Sequence, residues 1–435
     1  MKDKLKLGVA RAVITPEVGC QLYGYRPDIF STKVADDLRA TAFYFEQGDI
    51  KALMISCDVC LIDTSLSDRI RAEIRDRFGV PVENCMLSAT HTHSGPNTVG
   101  EVGWGDIDKN YCENIFIPGI MNATKEAVSS PVPVKMGYAY GDSKVGINRR
   151  QITLKRYDYA VLGQNEWGCY NPKMMVISFR DENDDNIGTM IHYGCHGTSA
   201  GACTEISRDW AGIMVDGLEK VSGGIVAFFN GPEGDVGPRI SNGLTTGYNN
   251  MDHVYELGNI AAWDAVDIFR KIGSYRDEEI SVASGILQPP LGSRIPLEEA
   301  KAQYEKFRNN TVNASALAAN HYKRIIESYE NGYEEIDHFD IPQTVFRIGD
   351  VAFATFPYEL FSEIGLRINK ESDIPHVLSL AVTNGSENYF VTHDQIRRSG
   401  YEVQMYNYHY IQPYGDHADY QLIVDTLKNL EKLHN

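Results

Sequence analysis

Five apolar runs in this chain end in the same manner, in a polar turn rich in glycine or proline. CMLSA runs into THTHSGPN, IGTMIHYGC into HGTSAG, GIVAFFN into GPEGDVGP, VAFATF into PYE, and LSLAVTN into GSENYF. Short apolar runs bounded by turn residues read as buried strands. Strands are expected over LGVARAVIT, TAFYF, ALMISCDV and KMMVISF as well. Between them lie stretches with apolar residues at three- and four-residue spacing, the mark of a helix with one buried face. These include LSDRIRAEIRDRF, YCENIFIPGIMNATKEAV, DWAGIMVDGLEKV, DHVYELGNIAAWDAVDIFRKI, LEEAKAQYEKF and YQLIVDTLKNLEKL. The pattern predicts a mixed α/β (α+β) fold. Rigid strands that open into loops are where such sheets present ligand-binding groups, so the five ends are expected to converge on one pocket.

With no internal repeat, low-complexity tract or linker, the 435 residues read as one large domain. The charged segment 298–340, two helices' worth, reads as a solvated insertion packed on the outside. A net charge of -18 repels phosphate backbones, and no Lys/Arg cluster offsets it, which excludes nucleic acid as a partner. The first residues, MKDKLKLGVARAVITP, lack the apolar centre of a signal peptide. Apolar runs such as KALMISCDVCLI are short and broken by Asp58, so no transmembrane segment is expected and the chain reads as cytoplasmic. Eight cysteines in so long a chain make no disulfide framework, and the lone Cys57-x-x-Cys60 reads as packing.

The stretch SATHTHSGPN carries the first chemical signal. On extended backbone, His91 and His93 point to the same side while Thr92 points away. Two imidazoles together at a strand end suggest a metal or proton-transfer site. Other residues have bland readings when taken singly. His196 in CHGTS suits a core histidine, Glu359 in PYELF a first-turn helix carboxylate, Arg149 in INRRQ a surface cation, and Tyr389 and Tyr401 packing aromatics among 25 tyrosines. Asp235 either orients a ligand histidine or stabilises its turn, and Asp209 reads equally as a helix-start residue.

In order along the chain, GVARAVITP, LYGY, SATHTHSGPN, INRR, CHGTS, SRDWAG, GDVGP, FPYE, ENYFV and SGYE resemble the catalytic domain of the neutral, non-lysosomal ceramidases. Those enzymes are zinc amidases that cleave the N-acyl bond of ceramide. The resemblance implies that His91, His196, Glu359 and Tyr389 bind zinc and that His93, Arg149 and Tyr401 face the scissile amide. It implies Arg149 and Tyr401 as donors to the developing oxyanion and His93 as the proton shuttle to the leaving amine. Imidazole nitrogen and carboxylate oxygen are ordinary zinc donors, and phenol is a less common one. A metallo-β-lactamase pattern wants an Asp-His pair after the first histidines, whereas SGPN follows here.

The chain departs from the family in three ways. Gly237 stands where the ceramidases carry a serine before the proline, so no hydroxyl is offered there and activated water is the expected nucleophile. The C-terminal immunoglobulin-like domain and the secretion signal of those enzymes are also missing from the sequence. The expected function is a zinc-dependent amidase acting on a small N-acyl compound, with ceramide as one candidate. A zinc hydrolase of another bond, such as an ester of a small polar metabolite, is the second reading, and a non-catalytic metal- or ligand-binding homologue the third. Tyr25, Trp104, Tyr406 and Tyr408 are candidate pocket walls, and YEVQMYNYHY has a composition that suits stacking on a sugar or cyclitol.

Overall fold

The computed structural model describes residues 3–150, 168–239 and 251–434. Its strands and helices build the mixed α/β architecture that the apolar runs predict. Three sheets carry the fold. The first has the strand order Cys85–Ala89, Ile50–Cys57, Arg39–Gln47, Lys6–Val13, Val132–Pro133. The second runs Ile225–Asn230, Asn186–Tyr193, Lys173–Arg180, Lys135–Asp142, and the third Ile280–Leu287, Ile341–Ile348, Val351–Thr355, His376–Leu380.

Side-chain alternation decides how the sheets stack. Phe43 and Phe45 of the first sheet, Met175, Ile177 and Phe179 of the second, and Phe346 and Phe353 of the third meet in one shared core. The opposite faces are covered by helices. Ala42 and Tyr44 pack with Ile70 and Ile74 of the helix Thr64–Phe78, and Val176 and Ile191 with Trp210 and Met214 of the helix Asp209–Ser222. Each large core residue contributes about 1.5–3 kcal/mol relative to exposure, so the central core holds the sheets in fixed relation.

One topological fact positions the site. Each sheet is antiparallel except for a single parallel pair: Ile50–Cys57 with Cys85–Ala89, Asn186–Tyr193 with Ile225–Asn230, and Val351–Thr355 with His376–Leu380. A parallel pair needs a long crossover, and each has one α-helix in it: Thr64–Phe78, Asp209–Ser222 and Ser362–Glu371 respectively. The first is punctuated at both ends. Asp63 accepts from Leu66 N, and Gly79, at φ 69°, donates to Arg75 O.

The loops leaving these parallel pairs are sewn together. Thr92 bridges Gly197, and Ser88 bridges Thr383. Gly234 N donates to Leu360 O and Ala381 N to Asn230 O. All five strand ends therefore meet. Gly197 is required at its seam, because a Cβ there would lie 2.7 Å from His91 O.

The segment 298–340 contains the two expected helices, Leu297–Phe307 and Asn313–Glu330. The second is more than a solvated insertion. It buries Leu317, His321 and Ile325, and Arg324 donates to His409 O at 2.9 Å. The helix expected over YCENIFIPGIMNATKEAV forms with a π-helical stretch, Cys112–Phe116, just before Pro118, whose missing N–H removes one bond of the regular ladder. All eight cysteines are free, and Cys57 and Cys60 are buried in the core. No helix among the described residues is long and apolar enough to cross a membrane.

Candidate metal centre and its pocket

His91 and His93 do converge, though not by strand alternation. The strand stops at Ala89, and His91 adopts a left-handed backbone at φ 65°. That twist turns its ring toward His93, with the two Nε2 atoms 3.3 Å apart. His91 Nδ1 lies 2.9 Å from Cys60 O, and His196 Nδ1 lies 2.8 Å from Glu233 O. A carbonyl oxygen can only accept, so both imidazoles carry a proton on Nδ1, and each ring when neutral presents an Nε2 lone pair.

The two lone pairs meet a carboxylate. His91 Nε2 is 3.4 Å and His196 Nε2 3.1 Å from Glu359 Oε2, and His196 Nε2 is 3.3 Å from the Tyr389 hydroxyl. All four residues are buried. Acceptors facing acceptors repel one another unless a cation sits among them, and no well-aligned donor reaches the buried Glu359 Oε2. Burial alone would raise the Glu359 carboxyl, but positive charge on His91, then hydrogen bonding from His196 and His91, outweighs it and holds the group well below the usual range, and a metal cation between neutral rings would supply the same charge. This donor set fits a divalent metal.

A second grouping, Cys60 with His91 and His93, is also compact. It is the poorer cage. His91 Nδ1 is committed to Cys60 O, and burial pushes the Cys60 thiol up, so it keeps its proton.

His93 stands beside the cage. Burial is the main cause that lowers its pKa well below the usual value, reinforced by any positive charge on His91 or His196, and this keeps the ring neutral. Tyr25 packs edge-on against it at 5.1 Å, and Gly24 permits the close approach, since a Cβ there would sit 2.3 Å from His93 Nδ1. Arg149 is no surface cation. Its Nη2 donates to the Tyr389 hydroxyl and to Gly234 O, both at 3.0 Å, and its Nε lies 2.9 Å from Glu402. Tyr401 begins the helix Tyr401–Tyr408 at the pocket rim, 44% exposed, with its ring 5.9 Å from that of Tyr389.

Residues 5–252 match the model of the family described as neutral/alkaline non-lysosomal ceramidase, N-terminal. The chain belongs to this ceramidase family. A neutral ceramidase of Pseudomonas aeruginosa is 25% identical over 236 residues, which span 50% of this chain and 35% of that protein. The neutral ceramidase of Mycobacterium tuberculosis is 25% identical over 272 residues, 55% of this chain and 41% of that one. The matched stretches thus span less than half the length of these curated relatives. The crystal structure of the P. aeruginosa neutral ceramidase superposes with a TM-score of 0.73 at 20% identity, covering 99% of this chain and 75% of that one. A structure of a ceramidase complexed with C2 gives 0.75 at the same identity. The fold is therefore the ceramidase fold, and it extends through the segment carrying Glu359, Tyr389 and Tyr401.

Several sequence readings change within this ceramidase framework. Asp235 is not the acceptor for a ligand histidine: its carboxylate takes Ser362 N, Ser362 Oγ and Asn148 Nδ2, while the carbonyl of Glu233 holds His196. A backbone carbonyl leaves no trace in residue identity, which is why the nearby carboxylate attracted the role. Asp209 does start a helix, yet it also accepts from Ser199 N and Ala200 N, fixing the loop behind His196. Glu359 is not a helix carboxylate but opens the short strand Glu359–Leu360, two residues before the helix Ser362–Glu371. Gly237 lies buried in Val236–Pro238, paired with Ile147, and offers no hydroxyl.

A cavity of about 150 Å³ opens onto His91, His93, Glu359, Tyr389 and Tyr401. Of the four candidate wall aromatics, Trp104 lines it; Tyr406 is buried in the core and Tyr408 packs against His321 and Tyr322. Sequence reasoning missed Glu101 and Asn388, which also line the cavity and hydrogen-bond each other at 2.9 Å. Burial lifts the Glu101 carboxyl to about 7. The only local signal was a carboxylate set among glycines before Trp104, GEVGW.

Proposed function

We propose that this ceramidase-family chain is a zinc-dependent amide hydrolase that cleaves an N-acyl bond. The observation that carries the reading is the convergence of two Nε2 lone pairs on the buried, donor-poor Glu359 Oε2. Held by His91, His196, Glu359 and Tyr389, zinc supplies Lewis-acid polarisation of a carbonyl and activation of water near neutral pH.

The remaining steps belong to the protein's own side chains. His93 is neutral at the cage edge, and its Nε2 can take up a proton and deliver it to the leaving nitrogen. Arg149 keeps its charge at any working pH. Glu402 and Gly234 O pin its guanidinium beside Tyr389, where it can stabilise negative charge on the amide oxygen, with the Tyr401 hydroxyl as a second donor from the rim. Gly237 provides no nucleophile, which leaves water as the attacking group. Ceramide, named in the relatives, is one candidate substrate among N-acyl compounds.

The test is amine release from a panel running from ceramide to N-acyl sugars and N-acyl amino acids. Zinc-loaded protein, metal-stripped protein and His91→Ala are compared. Hydrolysis is expected only with zinc in the wild type. Product release that persists in His91→Ala, or no cleavage of any panel member, overturns the reading.

A further inference from the structure

Arg149 and Tyr401, the two oxyanion donors of the proposed reaction, come from segments far apart in the chain, yet one carboxylate stands between those segments. Glu402 Oε1 lies 2.9 Å from Arg149 Nε, and Glu402 Oε2 accepts from Arg150 Nη1. Burial alone would raise the Glu402 carboxyl, but Arg149 and then Arg150 hold it below the usual range. Arg149 goes on to the Tyr389 hydroxyl and Gly234 O. Arg150 turns the other way. Its Nε donates to Gln395 Oε1 at 3.0 Å and its Nη2 to Ser399 O at 2.6 Å, so all three of its side-chain bonds run to the segment 395–402.

The turn that Arg150 grips is a strained one. Ser399 and Gly400 take φ values of 57° and 109° immediately before the helix Tyr401–Tyr408. A left-handed serine costs about 1–3 kcal/mol and persists only where its surroundings hold it. Gly400 lets the guanidinium sit directly against the backbone, since a Cβ there would lie 3.0 Å from Arg150 Nη1. The guanidinium also lies over the Phe361 ring, 5.6 Å from its centroid, and Phe361 directly follows the strand Glu359–Leu360. Arg150 is thus braced against the scaffold of the metal cage. Tyr401 is 44% exposed, so little packing holds its ring, and its place at the rim follows from the backbone of this turn.

We propose that Arg150 is a positioning residue: through Glu402 and Ser399 O it fixes Arg149 and Tyr401 as one unit, so that both donors meet the developing oxyanion together. The inference rests on the amidase reading for the oxyanion itself. Arg150 acts on each donor by a separate route. By occupying Glu402 Oε2 it limits Arg149 to the other oxygen, which leaves Arg149 Nη2 to the Tyr389 hydroxyl. With Oε2 freed, the same carboxylate would compete for that Nη2 in a two-bond fork, the favoured geometry of an arginine and a carboxylate, and draw it off Tyr389. Ser399 O would lose its donor at the same time, which releases the turn that places Tyr401.

The test compares zinc-loaded wild type, Arg150→Ala, Tyr401→Phe and the double variant on the N-acyl compound that wild type cleaves fastest. Arg150→Ala should lose about a hundredfold in kcat, the scale of a misplacement of about 1 Å, with KM little changed and zinc content equal. Because that change already displaces the Tyr401 hydroxyl, the double variant should be little slower than the slower single variant. Losses that multiply, a kcat near wild type in Arg150→Ala, or full recovery in Arg150→Lys, which keeps the charge but not the planar fork, overturn the proposal. Hydrogen exchange on metal-stripped protein reads the same claim without catalysis. Amides of Tyr401–Tyr408 should exchange faster in Arg150→Ala while the three sheets keep their wild-type protection. Unchanged exchange in that helix, or faster exchange throughout the chain, also overturns it. Failure of the amidase reading has a different signature, since wild type then cleaves no compound while the exchange comparison stands.

Discussion

Glu359 and Tyr389 are register partners in a two-residue parallel ladder, Glu359–Leu360 against Tyr389–Phe390. Neighbours in register emerge on one face of a sheet, so the ladder delivers a carboxylate and a phenol to the same side. The two histidines arrive on loops that leave the first and second large sheets, one from each.

Those unequal donors should show in metal affinity. A ligand that binds only the folded chain stabilises it by about 2.7 kcal/mol at a hundredfold excess over Kd. Zinc added to metal-stripped wild type should raise Tm. In Glu359→Ala the rise should vanish, because the charged donor is gone, while Tyr389→Phe, which loses a neutral donor, should keep most of it. Differential scanning calorimetry across a zinc titration checks the order, and an undiminished rise in Glu359→Ala would remove Glu359 from the cage.

His93 should behave differently from the cage residues. A positioned acid-base group contributes about 10²–10⁴-fold, so His93→Ala should lose turnover on that scale. Its zinc stoichiometry should match the wild type, since His91, His196, Glu359 and Tyr389 remain. Turnover and bound zinc measured on one preparation decide the point; loss of the metal would make His93 a ligand.

Arg149 joins the site to the wall behind it, touching Tyr389, Gly234 O and Glu402. Removing one oxyanion donor costs about 10²–10³ in kcat. Arg149→Ala should fall by that much, and Arg149→Lys, which keeps the charge but not the planar fork, should recover only part. Near-normal kcat in Arg149→Ala would exclude the role.

The strands were legible in the sequence because they are short apolar runs closed by turn residues, and the ordered motifs carried the family. Geometry inside the loops was not legible. The two rings of THTH were expected to align by strand period, but the strand ends two residues before His91 and a left-handed residue makes the meeting. Asp235 attracted a role that a backbone carbonyl fills. Glu101 gains its meaning from Asn388, 287 residues away, a contact that no local pattern encodes. Positions held by periodicity could be read, and those held by tertiary contacts could not.

Asp209 tests the scaffold behind His196. Its buried carboxylate accepts from Ser199 N, Ala200 N and Trp210 N, and its own backbone sits at φ 55°. Leaving a buried donor unsatisfied costs about 1–3 kcal/mol. Asp209→Ala should therefore lower stability by a few kcal/mol on that scale, seen as a shift in the urea midpoint. Asp209→Asn, which keeps an acceptor oxygen, should lose less. Equal midpoints for Asp209→Ala and wild type would show that the loop stands without it.

His192 makes the pH dependence testable. It is buried in Asn186–Tyr193 with Nε2 2.9 Å from Ser379 O, and burial lowers its pKa to about 4. An unfolded histidine titrates near 6.5, so between about 6.5 and 4 the unfolded chain takes up a proton that the folded chain refuses. The stabilisation is present above 6.5 and drains away as pH falls toward 4, by on the order of 3 kcal/mol at most. Asp58 and Asp235, raised to about 6 mainly by burial, act with the opposite sign: the folded chain holds their protons more tightly, so they favour it as pH falls. The absolute slope mixes these effects, and the useful quantity is the difference between wild type and His192→Gln, both metal-stripped. Urea midpoints at pH 7, 5.5 and 4.5 should show wild type losing stability relative to the variant as pH falls. Parallel curves would mean that the ring protonates in place.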